Sequence, residues 1–210
     1  MTALLFDLDG TVVDSLPAIL QTARRALDEL GRNDISDRQI RSLIGVPIIE
    51  TGEILLGQGQ GQVYRECYQK HFAALGYDGL RCFADMPELL AELKAKGTKL
   101  ACVTSKRRQA TELTLAAAGL SNTFAAIITA NDCENPKPSP EPAYLALKQL
   151  QTAADKSVIF IGDSRFDIAC GQSAGLSTCA VTWGAGTLEE LQGADYIAHN
   201  VAELRQILLG

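Results

Sequence analysis

No apolar run in the 210-residue chain approaches the roughly 18 to 20 residues needed to cross a bilayer. Its first strand-like run begins at Ala3, too early for the basic and apolar regions of a secretory signal. A cytoplasmic protein with no membrane partner is therefore expected. Positive charge is scarce as well: 19 basic residues face 25 acidic ones, for a net charge of -6. That balance excludes the basic surface with which nucleic-acid binders track phosphates, so any phosphate handled here must be small and locally held. Cysteines at metal-ligand spacing are missing too. The six, at 67, 82, 102, 133, 170 and 179, form no CxxC or CxxH pair, and Cys102 and Cys179 lie inside apolar strand-like runs. They read as structural thiols of a reducing compartment, not as zinc ligands or disulfides. The single tryptophan, Trp183, follows a strand-like run and reads as packing.

What is present is a folded, enzyme-sized chain: 47% of its residues are hydrophobic and 21% charged. From Lys99 onward, β-rich runs (KLACVT, AAIIT, SVIFIG, STCAVT) alternate with helical patterns, including one over 107–118 and one over about 166–174. The runs are continuously apolar instead of alternating, which predicts a parallel sheet covered on both faces. The expected fold is α/β, a doubly wound, Rossmann-like parallel sheet. Between Asp14 and Leu80 the rhythm stops, and only helical patterns occur, over 16–30, 38–44 and 63–75. This predicts a helical insert at 14–81 between two parts of an α/β core, 1–13 and 82–210. Within it, GQGQGQ at 57–62 follows no strand and opens no βαβ unit, so it reads as an inter-helix loop and not as a phosphate cradle.

Open parallel sheets bind ligands at the carboxyl ends of their strands. Polar residues gather at those ends: Asp7 and Asp9 in FDLDGT, Thr104 and Ser105 in VTSK, Asp163 and Asp167 in IGDSRFD, and Lys137 between prolines in NPKPSPEP. Asp167 alone would simply complete a helix-capping box with Ser164. The whole set points to a site for a divalent metal and a phosphoryl group. Two carboxylates one residue apart repel unless a cation or a shared proton intervenes, and Gly10 allows a sharp turn directly after them. Oxygen donors without histidine suit a hard ion such as Mg2+. Lys137 supplies fixed positive charge from a stiff, proline-bounded run in which Ser139 and Pro140 read as N-cap and first-turn proline.

FDLDGTVVDS, VTSK, NPKPSPEP and IGDSRFDIACGQSAG together resemble the four signature motifs of the haloacid dehalogenase superfamily, in their usual order. The insert is similar to the helical cap of the branch containing phosphoglycolate phosphatases, related pyrophosphatases and β-phosphoglucomutases. The resemblance implies that Asp7 is a nucleophile forming an aspartyl-phosphate and that Asp9 is the general acid/base. It implies that Thr104 and the Ser105 backbone bind phosphoryl oxygens, with Gly10 at the substrate turn, and that Lys137 steadies nucleophile and phosphate. Asp7, the Asp9 carbonyl, Asp163 and, through water, Asp167 would hold Mg2+. The implied activity is Mg2+-dependent hydrolysis of a small phosphorylated metabolite, phosphoglycolate-like, with pyrophosphate hydrolysis as an alternative.

Asp9 argues against a dehalogenase. Pro47 and Ile48, where phosphomutases of this kind carry a basic cap residue, and Gly162, where they tend to carry glutamate, argue against a mutase. A non-enzymatic phospho-acceptor domain would lack both Asp9 and the insert. For the rest of the substrate, Lys106 at the start of a helix and Arg41 on the insert are candidate contacts, because a cation at a helix N-terminus opposes the macrodipole and invites a compensating anion.

Overall fold

The computed structural model describes residues 3–77 and 79–210. Six strands, β1 (Ala3–Phe6), β2 (Lys99–Val103), β3 (Ala126–Ile128), β4 (Ile159–Gly162), β5 (Ser177–Val181) and β6 (Tyr196–Ala198), form one parallel sheet in the order β3-β2-β1-β4-β5-β6. The order reverses at β1, which places its carboxyl end at the switch point where such sheets bind ligands.

Strand periodicity builds the two faces. Leu4, Phe6, Leu100, Cys102, Ile159 and Ile161 point to one core, covered by α5 (Met86–Ala95), α6 (Arg108–Ala117) and α10 (Val201–Leu209). Their alternate neighbours Ala3, Leu5, Ala101, Val103 and Phe160 point to the other, under α7 (Glu141–Leu150) and α8 (Arg165–Ser173). Both faces are dry, so β1, β3 and β4 carry no polar side chain, as the sequence predicts. A short helix, α9 (Leu188–Leu191), precedes β6.

The helical segment comprises α1 (Leu16–Glu29), α2 (Asp37–Ser42), α3 (Ile48–Leu56) and α4 (Gly61–Leu75). It has a core of its own, built on Ala23, Ala26, Leu27, Ile35, Ile40, Leu55, Tyr64 and Cys67. Its entry and exit lie side by side: Val13 pairs antiparallel with Cys82, Asp14 N–H donates to Arg81 O at 2.8 Å, and Phe83 N–H donates to Val12 O at 3.1 Å. The helix α3 was not expected from sequence. Its apolar residues fall in two blocks, Ile48 and Ile49, then Ile54, Leu55 and Leu56, separated by Glu50, Thr51, Gly52 and Glu53, which hides the helical period. Glu53 closes the turn that follows by accepting from Gly59 N–H at 2.5 Å and Gly61 N–H at 2.7 Å, so two amides of GQGQGQ are already satisfied by a carboxylate. The second helix also stops earlier than the pattern 38–44 suggests, ending at Ser42.

Candidate active site

Asp7 follows β1 directly and stays in register with the sheet, its N–H donating to Ile161 O at 2.9 Å. The turn after Asp9 runs through Gly10 at φ +83, a conformation that side chains disfavour. A Cβ there would lie 2.5 Å from Asp163 Oδ2, so glycine is what lets the loop after β1 pass the end of β4.

Lys137 ties this edge together. Its ammonium, buried at 4% exposure, donates to Asp7 Oδ1 at 2.7 Å, Asp167 Oδ1 at 2.6 Å and Val103 O at 3.3 Å. Burial works against its charge, but Asp167 and Asp7 outweigh that and hold the ammonium above the usual lysine range. The Lys137–Pro138 bond is cis. The helix after it starts one residue later than the sequence suggests: Pro140 takes the N-cap position, and the Ser139 hydroxyl accepts from Glu141 N–H at 3.3 Å.

Asp167 serves two roles at once. Its Oδ2 completes the Ser164 capping box, accepting from Ser164 N–H at 3.0 Å and Ser164 Oγ–H at 2.6 Å, while Oδ1 meets Lys137. Asp163 is held by Thr11 Oγ–H at 2.9 Å and Ala185 N–H at 2.6 Å. Neither donor was singled out in the sequence, although Thr11 stands inside FDLDGT.

Carboxylate oxygens of Asp7, Asp163 and Asp167 lie within 4.8 Å of one another, all buried. Burial first, and then the other carboxylates, raise Asp7 well above the usual range; Lys137 opposes them. Burial and Asp167 likewise push Asp163 up to about 7, against the donors from Ala185 and Thr11. One ammonium among three buried carboxylates leaves negative charge uncompensated. An all-oxygen donor set with excess negative charge fits a hard divalent cation.

Asp9 stands apart from that trio. Its Oδ1 accepts from Ser15 Oγ–H at 2.6 Å and from Lys106 Nζ at 2.7 Å. Lys106 also reaches Thr114 Oγ1 at 3.2 Å and sits 5.8 Å from the centre of the Phe72 ring. The cations at the start of α6 therefore find anions within the chain: Lys106 finds Asp9, and Arg108 pairs with Asp132 at 2.6 Å. Arg107 is exposed. Thr104 Oγ1 accepts from Lys106 N–H at 3.2 Å, and the Ser105 hydroxyl is buried without a partner among the described residues.

Asp7, Asp9, Thr104, Ser105, Lys106 and Asp163 open onto one cleft of about 850 Å³ between the sheet edge and the helical segment. Ser105 lines it, with a hydroxyl that is buried and unpaired among the described residues. Arg41 does not join them. It lines a separate small crevice with Arg165, Phe166 and Glu190, and its side chain, in the last turn of α2, is exposed. The segment touches the core nearby at Gly45, where a Cβ would lie 3.3 Å from Phe166 and 3.4 Å from Ser164 Oγ. Trp183 packs as expected, donating from Nε1 to Thr11 O at 3.1 Å. The six cysteines are free, and burial pushes the thiols of Cys170 and Cys179 up to about 12, which makes them inert.

The family model of the haloacid dehalogenase-like hydrolases matches residues 4–181. The pyrophosphatase PpaX of Bacillus velezensis is 30% identical over 99% of this chain and 96% of its own length. A phosphoglycolate phosphatase of Aquifex aeolicus is 32% identical over 88% of this chain and 86% of its own. Among solved structures, a haloacid dehalogenase-like family hydrolase from Streptococcus pneumoniae superposes with a TM-score of 0.85 at 28% identity, covering 99% of this chain and 98% of that one.

Proposed function

The chain belongs to the haloacid dehalogenase-like hydrolases, and from that membership and its site we propose that it is a Mg2+-dependent phosphatase acting on a small phosphate ester. The observation that carries this reading is Lys137 bridging Asp7 and Asp167 at the switch point, with Asp163 beside them and the cleft in front. Asp7, Asp163 and Asp167 are the side chains that would hold Mg2+, with the Asp9 carbonyl completing the protein's share. When bound, the ion would neutralise carboxylates and phosphoryl oxygens so that two anions can meet.

Asp7 is the nucleophile of this reading. An Asp7 carboxylate oxygen attacks phosphorus, the bond to the leaving oxygen breaks, and Asp9 gives that oxygen its proton. Asp9, now a carboxylate, takes a proton from water as the water oxygen attacks the phosphorus of the aspartyl-phosphate, which releases inorganic phosphate and restores both residues. Lys137 holds Asp7 in place throughout. Thr104 and the Ser105 amide and hydroxyl receive the non-bridging oxygens. Residues 14–81 act as a cap that closes over the cleft and excludes water, with the loop 43–48 as its contact to the core.

Gly162 stands where mutases of this branch tend to carry glutamate, which favours hydrolysis, and a Cβ there would fall 2.2 Å from that of Asp167. Pyrophosphate is the second reading, favoured by the similarity to PpaX and by Lys106 and Arg107 on the core side of the cleft. The test is phosphate release from a panel of small esters and pyrophosphate, with and without Mg2+. Release that is independent of the metal or of Asp7 would sink the mechanism.

A further inference from the structure

The wall that faces Asp9 from the helical segment carries no charge. Its lining residues include Ile19, Ile40, Ile44, Val46, Tyr68 and Tyr77, and among the described residues of the segment no lysine, arginine or histidine reaches the cleft. Four of the segment's cations are held in pairs outside the cleft, Arg24 with Asp37, Arg32 with Asp34, and Lys70 and His71 with Glu29, and Arg25, Arg38, Arg41 and Arg65 do not line it.

Ile40, Tyr68 and Tyr77 also pack against the hydrophobic clusters, but the other three do not. Ile19, Ile44 and Val46 line the cleft, yet they belong to none of the hydrophobic clusters, and all three are only half-buried. Beside them runs an aromatic face. Tyr68 stacks on Phe72 at 6.0 Å between ring centres, and Phe72 meets Tyr77 edge-on at 5.0 Å. Burial, then Tyr64 and Asp9, keep the Tyr68 hydroxyl protonated, so it offers a neutral donor and no charge. On the core side, Lys106 is committed to Asp9 and Arg108 to Asp132, which leaves the exposed Arg107, carried by the core and not by the segment's wall, as the lining cation without an ion pair among the described residues.

We infer that the preferred leaving group is an uncharged, apolar alcohol that carries an aromatic or branched aliphatic body, and not a carboxylate or a second phosphate. This rests on the phosphatase reading of the same site. A carboxylate or phosphate pushed against Ile19, Ile44 and Val46 would lose its water and gain no charged partner from that wall, whereas an apolar body there removes surface that the folded protein leaves half-exposed. The cleft volume of about 850 Å³ is also far more than a two-carbon ester fills, and lies within the roughly 300–1,000 Å³ of sites that enclose larger ligands.

The experiment measures kcat/KM with Mg2+ for ethyl phosphate, 2-phenylethyl phosphate, 2-phosphoglycolate and pyrophosphate. The ethyl and phenylethyl esters both release primary alcohols, so their difference reports binding of the body and not bond strength. A gain of about 10- to 100-fold for phenylethyl over ethyl is expected from burying one ring, with both anionic substrates below phenylethyl. Ile44→Lys should shrink that gain and raise phosphoglycolate.

Calorimetry on the unmodified protein with ethylphosphonate and 2-phenylethylphosphonate gives the same comparison without turnover, and it holds even if the variant fails to fold. Phosphate release that is equal for the two esters, or best with phosphoglycolate or pyrophosphate, overturns the inference and leaves the phosphatase reading standing. No release from any ester or pyrophosphate overturns the phosphatase reading itself.

Discussion

Asp7 and Asp9 stand one residue apart and yet live in different electrostatic surroundings. Asp7 is buried against Lys137 and two other carboxylates, while Asp9 meets Ser15 and Lys106 at the cleft. Asp7→Asn keeps the shape and removes the attacking oxygen's charge, so phosphate release should fall to background. Asp9→Asn should slow turnover by roughly 10² to 10⁴, the usual worth of general acid/base catalysis, and most on esters with poor leaving groups. Steady-state rates on an alkyl and an aryl phosphate check both; near-normal alkyl turnover in the second variant would remove Asp9 from its role. Lys137→Met leaves Asp7 and Asp167 buried without their cation. Breaking a buried pair in this way costs roughly 3–5 kcal/mol, and urea melts should show the loss shrinking at low pH, where the carboxylates take up protons.

The helix α8 joins folding to chemistry through a single side chain. Ser164 and Asp167 form a reciprocal cap, and the oxygen of Asp167 that the cap does not use meets Lys137. Ser164→Ala should therefore cost about 1 kcal/mol from the lost cap. It should also lower kcat, because Asp167 would no longer be held in one rotamer. Loss of stability with kcat intact would make the box purely structural. The helix α4 has a comparable double character: Cys67 faces the segment's own core, Tyr64 and Tyr68 touch both that core and the cleft, and Phe72 lines the cleft.

Across the whole molecule, the carboxylate cluster makes stability depend on pH and metal together. The folded-state value for Asp163, about 7, lies above its ordinary 3.8. Between those values the folded protein keeps a proton that the unfolded chain has lost, so metal-free stability falls as pH rises through that window, by up to about 1.4 kcal/mol per pH unit. Asp7, raised in the same direction, adds to the fall. Thermal melts from pH 4 to 8 should show this slope with chelator present and a flatter one with Mg2+; identical slopes would mean that the cluster does not bind the ion. The helical segment should move as a unit. Mg2+ with a phosphate analogue should slow amide exchange in residues 43–48 and make the particle more compact in solution scattering, and unchanged exchange would make the segment a fixed wall.

The sheet was readable because the evidence for it is local. Leu4 and Phe6 alternate with Ala3 and Leu5 between two dry faces, and such a strand must be apolar at every position. The polar residues at the strand ends were readable for the same reason, since a carboxylate that terminates an apolar run announces where the sheet meets water or ligand. The edge strand Tyr196–Ala198 was not, being three residues long with Tyr196 exposed.

Only the tertiary structure decided which charges meet. Lys106 and Asp9 are 97 positions apart, and Lys137 and Asp7 are 130 apart, so their pairing follows from strand order and not from any spacing along the chain. It also decided that Arg41 points away from the cleft and that Ile44 and Val46 point into it. In sequence an apolar residue on a helix or its connecting turn reads as core; whether it packs inward or lines a cavity is fixed by how one helix lies against another, which no local pattern encodes.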